Sequence, residues 1–425
     1  MPKHVFSGFG FGPIQGGLFA KEAFQSGNFS RLAVAEIDAE LVHAVRSNGG
    51  AYYVNVARPD GIDSLRIDNV ELLNPTDAKD RGELLEVLSQ STEMATCLPS
   101  VNFYESGGPG SVASLIAEGM KNSRAGATII YAAENNNRAA EILQEAVLRR
   151  AGASLPKKAQ FLNTVIGKMS RVVTDPAEIA ELKLKTVAPG LGRAFLVEQF
   201  NRILVSRTEI VGFKPGIEVF VEKDDLLPFE EAKLYGHNAI HSVLGFIGAV
   251  MDVTSMTDLR DDESVMQIGR DAFLRESGAA LVQKYSHLGD ELFTQAGFKA
   301  YAEDLLERMT NPYLGDTVAR VTRDIVRKLE IDGRIFGTMQ LALEYGIEPK
   351  SMAVGALAGI AMLGRQAGQY GVPEDVCFND WRKLDAARLR RLLKWLWKGQ
   401  TCKYVPQFIE CISNAAARLV ALIAR

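Results

Sequence analysis

The sequence predicts an α/β fold: a doubly wound parallel sheet in its N-terminal part, followed by an all-helical C-terminal domain. Short apolar strands alternate with helical segments over the first half of the chain, and strand signals vanish after residue 228. A glycine-rich turn, Gly8-Phe-Gly10-Phe-Gly12-Pro-Ile-Gln15-Gly16-Gly17, stands between the first strand and the first helix. At 425 residues the chain is long for one hydrophobic core. Two domains are therefore expected, residues 1–193 and 194–425, with strands up to about residue 225 extending the first sheet.

His4–Ser7 reads as a short strand, the helix after the glycine turn runs to about Gln25, and Arg31–Asp38 is a second strand that ends in acid. That order is the setting of the Rossmann-type dinucleotide fingerprint. Glycines let the backbone reach a pyrophosphate at a helix N-terminus, and the acid accepts the ribose hydroxyls. Gly10 and Gly12 are taken as the first two glycines, which puts Gln15 at the usual place of the third and Gly16 and Gly17 directly after it. The other register, from Gly8, puts Pro13 at that place and fits less well. Glu36 is the expected ribose ligand; its charge repels a 2′-phosphate, so the expected cofactor is NAD. A solvated strand-end charge is the alternative for Glu36.

From Asp38 to Gly110 the pattern is a helix, a pair of strands, an Asn-Pro turn at 74–75, a helix near Arg81–Ser89 and a strand near Met94–Cys97. Leu98-Pro-Ser breaks that strand at its C-terminal end, where open parallel sheets keep their ligands. Ser111–Lys121 is helical, and Ala127–Ala133 is a continuous apolar strand of the buried parallel kind. Glu134-Asn135-Asn136-Asn137-Arg138 follows it, a run that suits turn and capping chemistry. Glu198–Val205 and Gly216–Glu222 are read as further strands of the first sheet.

The second half turns on Lys233-Leu-Tyr-Gly-His-Asn238-Ala-Ile-His241, followed by the apolar run Ser242–Met251. At roughly 100° per residue, Asn238 lies about 140° and His241 about 80° around a helix from Lys233, so the three can line one side. A lysine that snorkels, with Asn and His satisfied in the core, is the alternative. Helices are expected over 231–252, 263–285, 289–309, 316–330, 334–345, 350–369 and 384–398. In the fourth, Asp316 is the expected N-cap, and Arg320, Arg323 and Arg327 fall on one face with Lys328 adjacent. Met352–Leu363 is too short to span a bilayer and reads as a core helix packed close to a neighbour. Ala386–Lys398 is basic and amphipathic, and its leucine stripe (Leu389, Leu392, Leu393, Leu396) is expected to pack on the domain, with Gly399 as C-cap.

Hydrophobic content of 47%, charged content of 24% and a net charge of −4 describe an ordinary globular protein without the basic face of a nucleic-acid binder. The cysteines at 97, 377, 402 and 411 have no paired spacing, and the five histidines are scattered. Neither a disulfide framework nor a zinc site is indicated, and a metal-free cytoplasmic protein without a signal peptide is expected.

Lys-x4-Asn-x2-His before a small-residue apolar helix, the stretch Asn311–Leu329, and Leu343-Glu-Tyr-Gly346 together resemble the long-chain, metal-independent polyol (mannitol) dehydrogenases. The likeness runs from residue 4 to about 365, is greatest to members acting on a phosphorylated polyol, and leaves the last sixty residues unplaced. That family tolerates a polar residue where Gln15 stands. The resemblance implies Lys233 as general base, Asn238 and Asn135 as donors to the oxygen of the reacting carbon, and His241 as the residue that orients substrate or lysine. It implies Arg320 and Lys328 as ligands of the polyol chain. Arg323 and Arg327 would suit a phosphate, or else be an exposed face paired with Asp316 and Asp324; Glu230 is placed with the substrate-binding residues. Gly167 and Lys168 stand where the family has Asp and Arg, which bears on which polyol is used more than on the hydride chemistry. The expected partner is a small polyol or polyol phosphate, with no nucleic acid or membrane, and the protein a monomer or weak homo-oligomer. A hexuronate or unphosphorylated-polyol dehydrogenase is the alternative enzyme, and a nucleotide-binding protein that has lost catalysis the non-enzymatic one.

Overall fold

The strands of the N-terminal half are β1 (His4–Phe9), β2 (Phe29–Ala35), β3 (Tyr52–Ala57), β4 (Ile62–Ile67), β5 (Val70–Leu73), β6 (Glu93–Thr96), β7 (Thr128–Ala132), β8 (Ala159–Ile166), β9 (Ser170–Val173), β10 (Ala194–Glu198), β11 (Ile203–Ser206) and β12 (Phe220–Lys223). They come from a computed structural model that describes residues 4–152, 158–200, 202–378 and 380–424. The chain divides into two units, Met1–Leu227 and Pro228–Arg425.

In the first unit, eight strands form one sheet in the order β12-β11-β8-β7-β6-β1-β2-β5. From β8 to β5 every neighbouring pair is parallel. Counted within the sheet, that stretch has the doubly wound order 3-2-1-4-5-6, with its switch point between β1 and β6. β6 and β7 are buried along their whole length, as parallel strands covered on both faces must be. β11 joins antiparallel to β8, and β12 parallel to β11. These last two strands hold the chain to the sheet up to residue 223, so the division falls after Leu227 rather than at 193.

The stretch Glu198–Val205, expected as one strand of the first sheet, is divided: its end lies in β11 of that sheet, while Glu198 closes β10, a strand not expected from the sequence. β10 pairs with β3 and β9 in a second sheet, ordered β4-β3-β10-β9. The glycines of the first helix explain the contact: a Cβ on Gly17 would come within 2.5 Å of Val197 Cγ1, and one on Gly16 within 3.0 Å of Phe195 Cε2. Only bare backbone lets β10 lie so close to that helix.

The second unit is built of helices; among its described residues the one β-type pairing is the isolated bridge Ser255–Thr317. Helices Ala239–Val250 and Lys350–Arg365 meet at small residues. A Cβ on Gly355 would fall 2.6 Å from Val243 Cγ2, and one on Gly359 2.9 Å from Phe246 Cδ2. The carboxylate of Glu276 accepts the N–H groups of Ser351 (2.6 Å) and Met352 (2.8 Å), satisfying two orphan donors at that helix's start. The leucine stripe of helix Ala386–Leu396 is buried, as expected. Sequence reading missed a helix, Val405–Ile423, which buries Val405, Phe408, Ile409, Ile412, Leu419 and Leu422.

The expected helix 316–330 is broken. Thr317, not Asp316, caps helix Val318–Val321, its Oγ1 accepting the Arg320 N–H at 3.2 Å. Asp324, at φ 57° and ψ 48°, then interrupts the chain before helix Ile325–Lys328. The three arginines therefore do not share one helical face.

Candidate active site

In the first unit the glycine turn lies at the C-terminal end of β1. Gly8 belongs to the strand and Gly10 to the turn, at φ +79°, where a Cβ would fall 2.9 Å from the Cys97 carbonyl oxygen. Gly12 opens the helix: its carbonyl accepts the Gly16 N–H at 2.8 Å, and Pro13 occupies the first turn, where no N–H is needed. A Cβ on Gly12 would meet nothing within 4 Å, so the backbone there is open to a ligand. Glu36, just past β2, accepts the Phe11 N–H on Oε2 (2.6 Å) and the Asp38 N–H on Oε1 (2.8 Å), which ties its carboxylate to the turn.

Gln15, Gly16 and Gly17 prove to be packing positions. Gln15 is wholly buried, with neither amide atom hydrogen-bonded, and a Cβ on Gly8 would lie 2.0 Å from its Nε2. The close helix–strand approach that a third fingerprint glycine normally permits is here provided by Gly8 on the strand. Gly16 is held by the Tyr52 hydroxyl, which donates to its carbonyl at 2.7 Å.

Asn135 is exposed just beyond the C-terminal end of β7. Its neighbour Glu134 is buried and binds the ends of two strands together. Glu134 Oε1 accepts the Leu98 N–H (2.8 Å), and Oε2 accepts the hydroxyls of Thr96 (2.8 Å) and Tyr104. Of the three asparagines, Asn136 does the turn chemistry, its Oδ1 accepting the Arg138 N–H at 2.8 Å. At Gly167 a Cβ would meet only the Phe200 ring edge, at 3.7 Å. The Lys168 ammonium donates to the carbonyls of Glu198 and Phe200 (2.7 Å for the latter).

In the second unit Ala232–Asn238 is a π-helical turn with i→i+5 hydrogen bonds, a rare form frequent at functional sites. The α-helical wheel that sets Lys233 and Asn238 about 140° apart does not apply. Five residues apart in a π turn, the two stand as i and i+4 do in an α-helix, on one face. Burial and then the nearby Arg334 guanidinium bring the Lys233 pKa down to about 8, against a smaller raising effect of Glu230. His237, overlooked in the sequence, is buried in the same turn, and burial together with His241 drives its pKa well below the usual imidazole range.

Asp316, expected to cap a helix, is instead a buried anion at 2% exposure. Arg320 clasps it with two donors, Nε to Oδ1 at 2.6 Å and Nη2 to Oδ2. His241 Nε2 lies 3.2 Å from Oδ2, at an angle too oblique to count as a hydrogen bond. Lys328 is only 4% exposed, and burial followed by Arg334 and Arg327 lowers its pKa to about 8. Arg334, which no sequence pattern flags, donates to Ser242 Oγ at 3.3 Å; burial and neighbouring arginines bring its pKa to about 10. Among the described residues, neither Lys328 nor Arg334 is ion-paired with a carboxylate. Arg323 and Arg327 are exposed, and Arg327 pairs with Asp324 at 3.6 Å; they act on this cluster by charge rather than by contact. Among the described residues, no group of three His, Cys, Asp or Glu side chains could hold a metal, and no helix is long and apolar enough to cross a membrane.

Residues 225–419 match the model of the mannitol dehydrogenase C-terminal domain, so the family likeness extends well past residue 365. The mannitol-1-phosphate 5-dehydrogenase of Brevibacillus brevis is 29% identical over 230 residues, 53% of this chain and about half (54%) of that relative's length. The enzyme of the same name from Buchnera aphidicola subsp. Acyrthosiphon pisum is 25% identical over 359 residues, 82% of this chain and 84% of that relative. Pseudomonas fluorescens mannitol 2-dehydrogenase, solved as a ternary complex with NAD and D-mannitol, superposes with a TM-score of 0.67 over 99% of this chain and 94% of its own; at 14% identity that is a likeness of fold. Residues 225–419 are thus similar to a mannitol dehydrogenase C-terminal domain, and the curated relatives that the chain resembles are mannitol-1-phosphate 5-dehydrogenases.

Proposed function

We propose that this protein is an NAD-dependent polyol dehydrogenase whose substrate carries a phosphate, interconverting mannitol 1-phosphate and fructose 6-phosphate. The observation that carries this reading is the group of buried cations around Lys233. Among the described residues Lys328 and Arg334 are desolvated without ion-pair partners, and Arg334 lowers the pKa of both Lys233 and Lys328. Buried charge is costly unless paired, and a phosphate dianion would complete the cluster where an uncharged polyol would not. The names of the Brevibacillus and Buchnera relatives point the same way.

Lys233 suits a general base. With a pKa of about 8, roughly a tenth of it is neutral at pH 7, against about one part in several thousand for an unperturbed lysine. Its neutral amine would take the proton of the reacting hydroxyl. The Asn238 amide would donate to the oxygen as it gains negative charge, and the same role is proposed for Asn135. Lys328 and Arg334 would hold the anionic end of the substrate.

The first unit fits NAD. Gly10 and Gly12 leave the backbone and the helix N-terminus open to a pyrophosphate, and the Glu36 carboxylate stands beside the turn for ribose hydroxyls. When bound, NAD supplies the acceptor for the hydride. Glu36 fixes the choice of cofactor: kcat/KM with NADH should exceed that with NADPH by about tenfold or more, because a 2′-phosphate would face a carboxylate. Glu36→Gln should narrow the gap. A preference for NADPH in the unaltered enzyme would remove Glu36 from the ribose site.

The reading is tested by following reduced-nicotinamide absorbance with fructose 6-phosphate, fructose and fructuronate in turn. Fructose 6-phosphate should be reduced with the highest kcat/KM, by about ten- to a hundredfold over fructose, the worth of one charged hydrogen bond. Fructuronate as the best substrate would assign the cations to a carboxylate; fructose as the best would deny them an anion.

A further inference from the structure

We infer that Asp316 is a positioning residue of this site, its carboxylate setting the tautomer of His241 and the plane of the Arg320 guanidinium together. The kinetic part of this inference rests on the function proposed above; the structural part does not.

Asp316 is held firmly from both sides. Its carbonyl accepts the Met256 N–H at 3.0 Å, and two residues on the Val318 N–H donates to the Thr254 carbonyl at 2.9 Å. Thr317 bridges to Ser255. The backbone thus fixes where the carboxylate points, and the side chain is almost wholly enclosed. An ionised carboxylate accepts and cannot donate. Two of its acceptor sites are taken by the fork of Arg320, which aligns that guanidinium in the carboxylate plane. Oδ2 also faces His241 Nε2 at 3.2 Å. A ring nitrogen with a lone pair there would face oxygen lone pairs, so the neutral ring carries its proton on Nε2 and leaves Nδ1 as an acceptor. The contact is oblique, as such contacts commonly are before substrate binds. One anion therefore prepares two groups: an imidazole that can accept from a substrate hydroxyl, and an arginine with one Nη left for the polyol chain. The division of labour parallels that of the aspartate in serine-protease triads, which orients the imidazole without exchanging its own proton.

The test is the ring 15N spectrum of His241, recorded at about pH 8.5, where imidazoles are neutral. With five histidines in the chain, His241→Gln assigns the signal. The unaltered protein should show the Nε2–H tautomer, and an Nδ1–H ring would overturn the inference without any further variant. In Asp316→Asn the amide oxygen keeps one arm of the Arg320 fork, the arm to Nη2 is lost, and the NH2 group turns to His241, so the ring should switch to Nδ1–H. kcat/KM for the ketose phosphate should then fall about a hundredfold, with NADH affinity unchanged. Asp316→Glu should retain the Nε2–H tautomer and recover part of the loss. An active enzyme whose Asp316→Asn form keeps its tautomer and stays within threefold in kcat/KM would contradict the inference. A protein with the Nε2–H ring and the expected switch but no turnover on any of the three sugars would sustain the placement of Asp316 while removing the proposed function.

Discussion

Lys233→Ala is expected to fold, to bind NADH and to lose turnover by at least about 10² to 10⁴, the usual worth of a general acid–base group. Folding should survive because the position is partly exposed and the lost group is a cation set beside Arg334. Removing a desolvated charge from beside Arg334 relieves that repulsion, against the loss of a smaller attraction from Glu230. NADH affinity should persist because Gly10, Gly12 and Glu36 all belong to the first unit. The checks are kcat with saturating ketose phosphate, a dissociation constant for NADH, and the far-ultraviolet dichroism. A small primary amine in solution should restore part of the rate. Near-normal turnover would make Lys233–His241 a packed helix and no more.

Asn238→Ala should cost about 10² to 10³ in kcat, the range for removing one donor from a developing oxyanion. The π turn puts this amide on the face that carries Lys233, the placement that a donor and a base aimed at one oxygen would need. An amide stabilises charge but does not titrate, and the pH at which activity changes should therefore stay where Lys233 sets it. That separates the two variants: loss of Lys233 removes the titration, while loss of Asn238 lowers the rate at every pH. If Asn238→Ala shifted the pH profile by a full unit, the amide would be acting on the lysine rather than on the substrate.

What could be read from the residues, and what could not, follows from the range of the forces involved. The glycine turn, the acid at Glu36 and the buried runs of β6 and β7 are local patterns with one structural use each. The destination of β10 is not local: Ala194–Glu198 would suit either sheet, and Val197 and Phe195 are drawn to the second by the bare backbone of Gly16 and Gly17. The break at Asp324 is a tertiary effect too, since nothing in Arg323-Asp-Ile-Val-Arg327 forbids a continuous helix. The π turn at Lys233 leaves no mark on a pattern read at 3.6 residues per turn, and without it the lysine and the asparagine are set too far apart. Arg334, expected to open the helix 334–345, lies just before it, ahead of Phe336, and a helical pattern does not say which of its residues faces a site. Helix Val405–Ile423, by contrast, has its apolar residues at clear helical spacing, with Pro406 in its first turn, and was legible but unread.

The most direct measurement is the pH dependence of kcat/KM for oxidation of mannitol 1-phosphate, taken for the unaltered enzyme and for Lys233→Ala. The lysine must be neutral to accept the proton, so the rate of the unaltered enzyme should climb as pH rises through about 8 and level off above it. In the reduction of fructose 6-phosphate the protonated lysine would be the donor, and the rate should fall over the same interval. Lys233→Ala should show a low rate without that break. A profile flat from about pH 7 to 9 in the unaltered enzyme, or an identical break kept by Lys233→Ala, would mean that another group moves the proton.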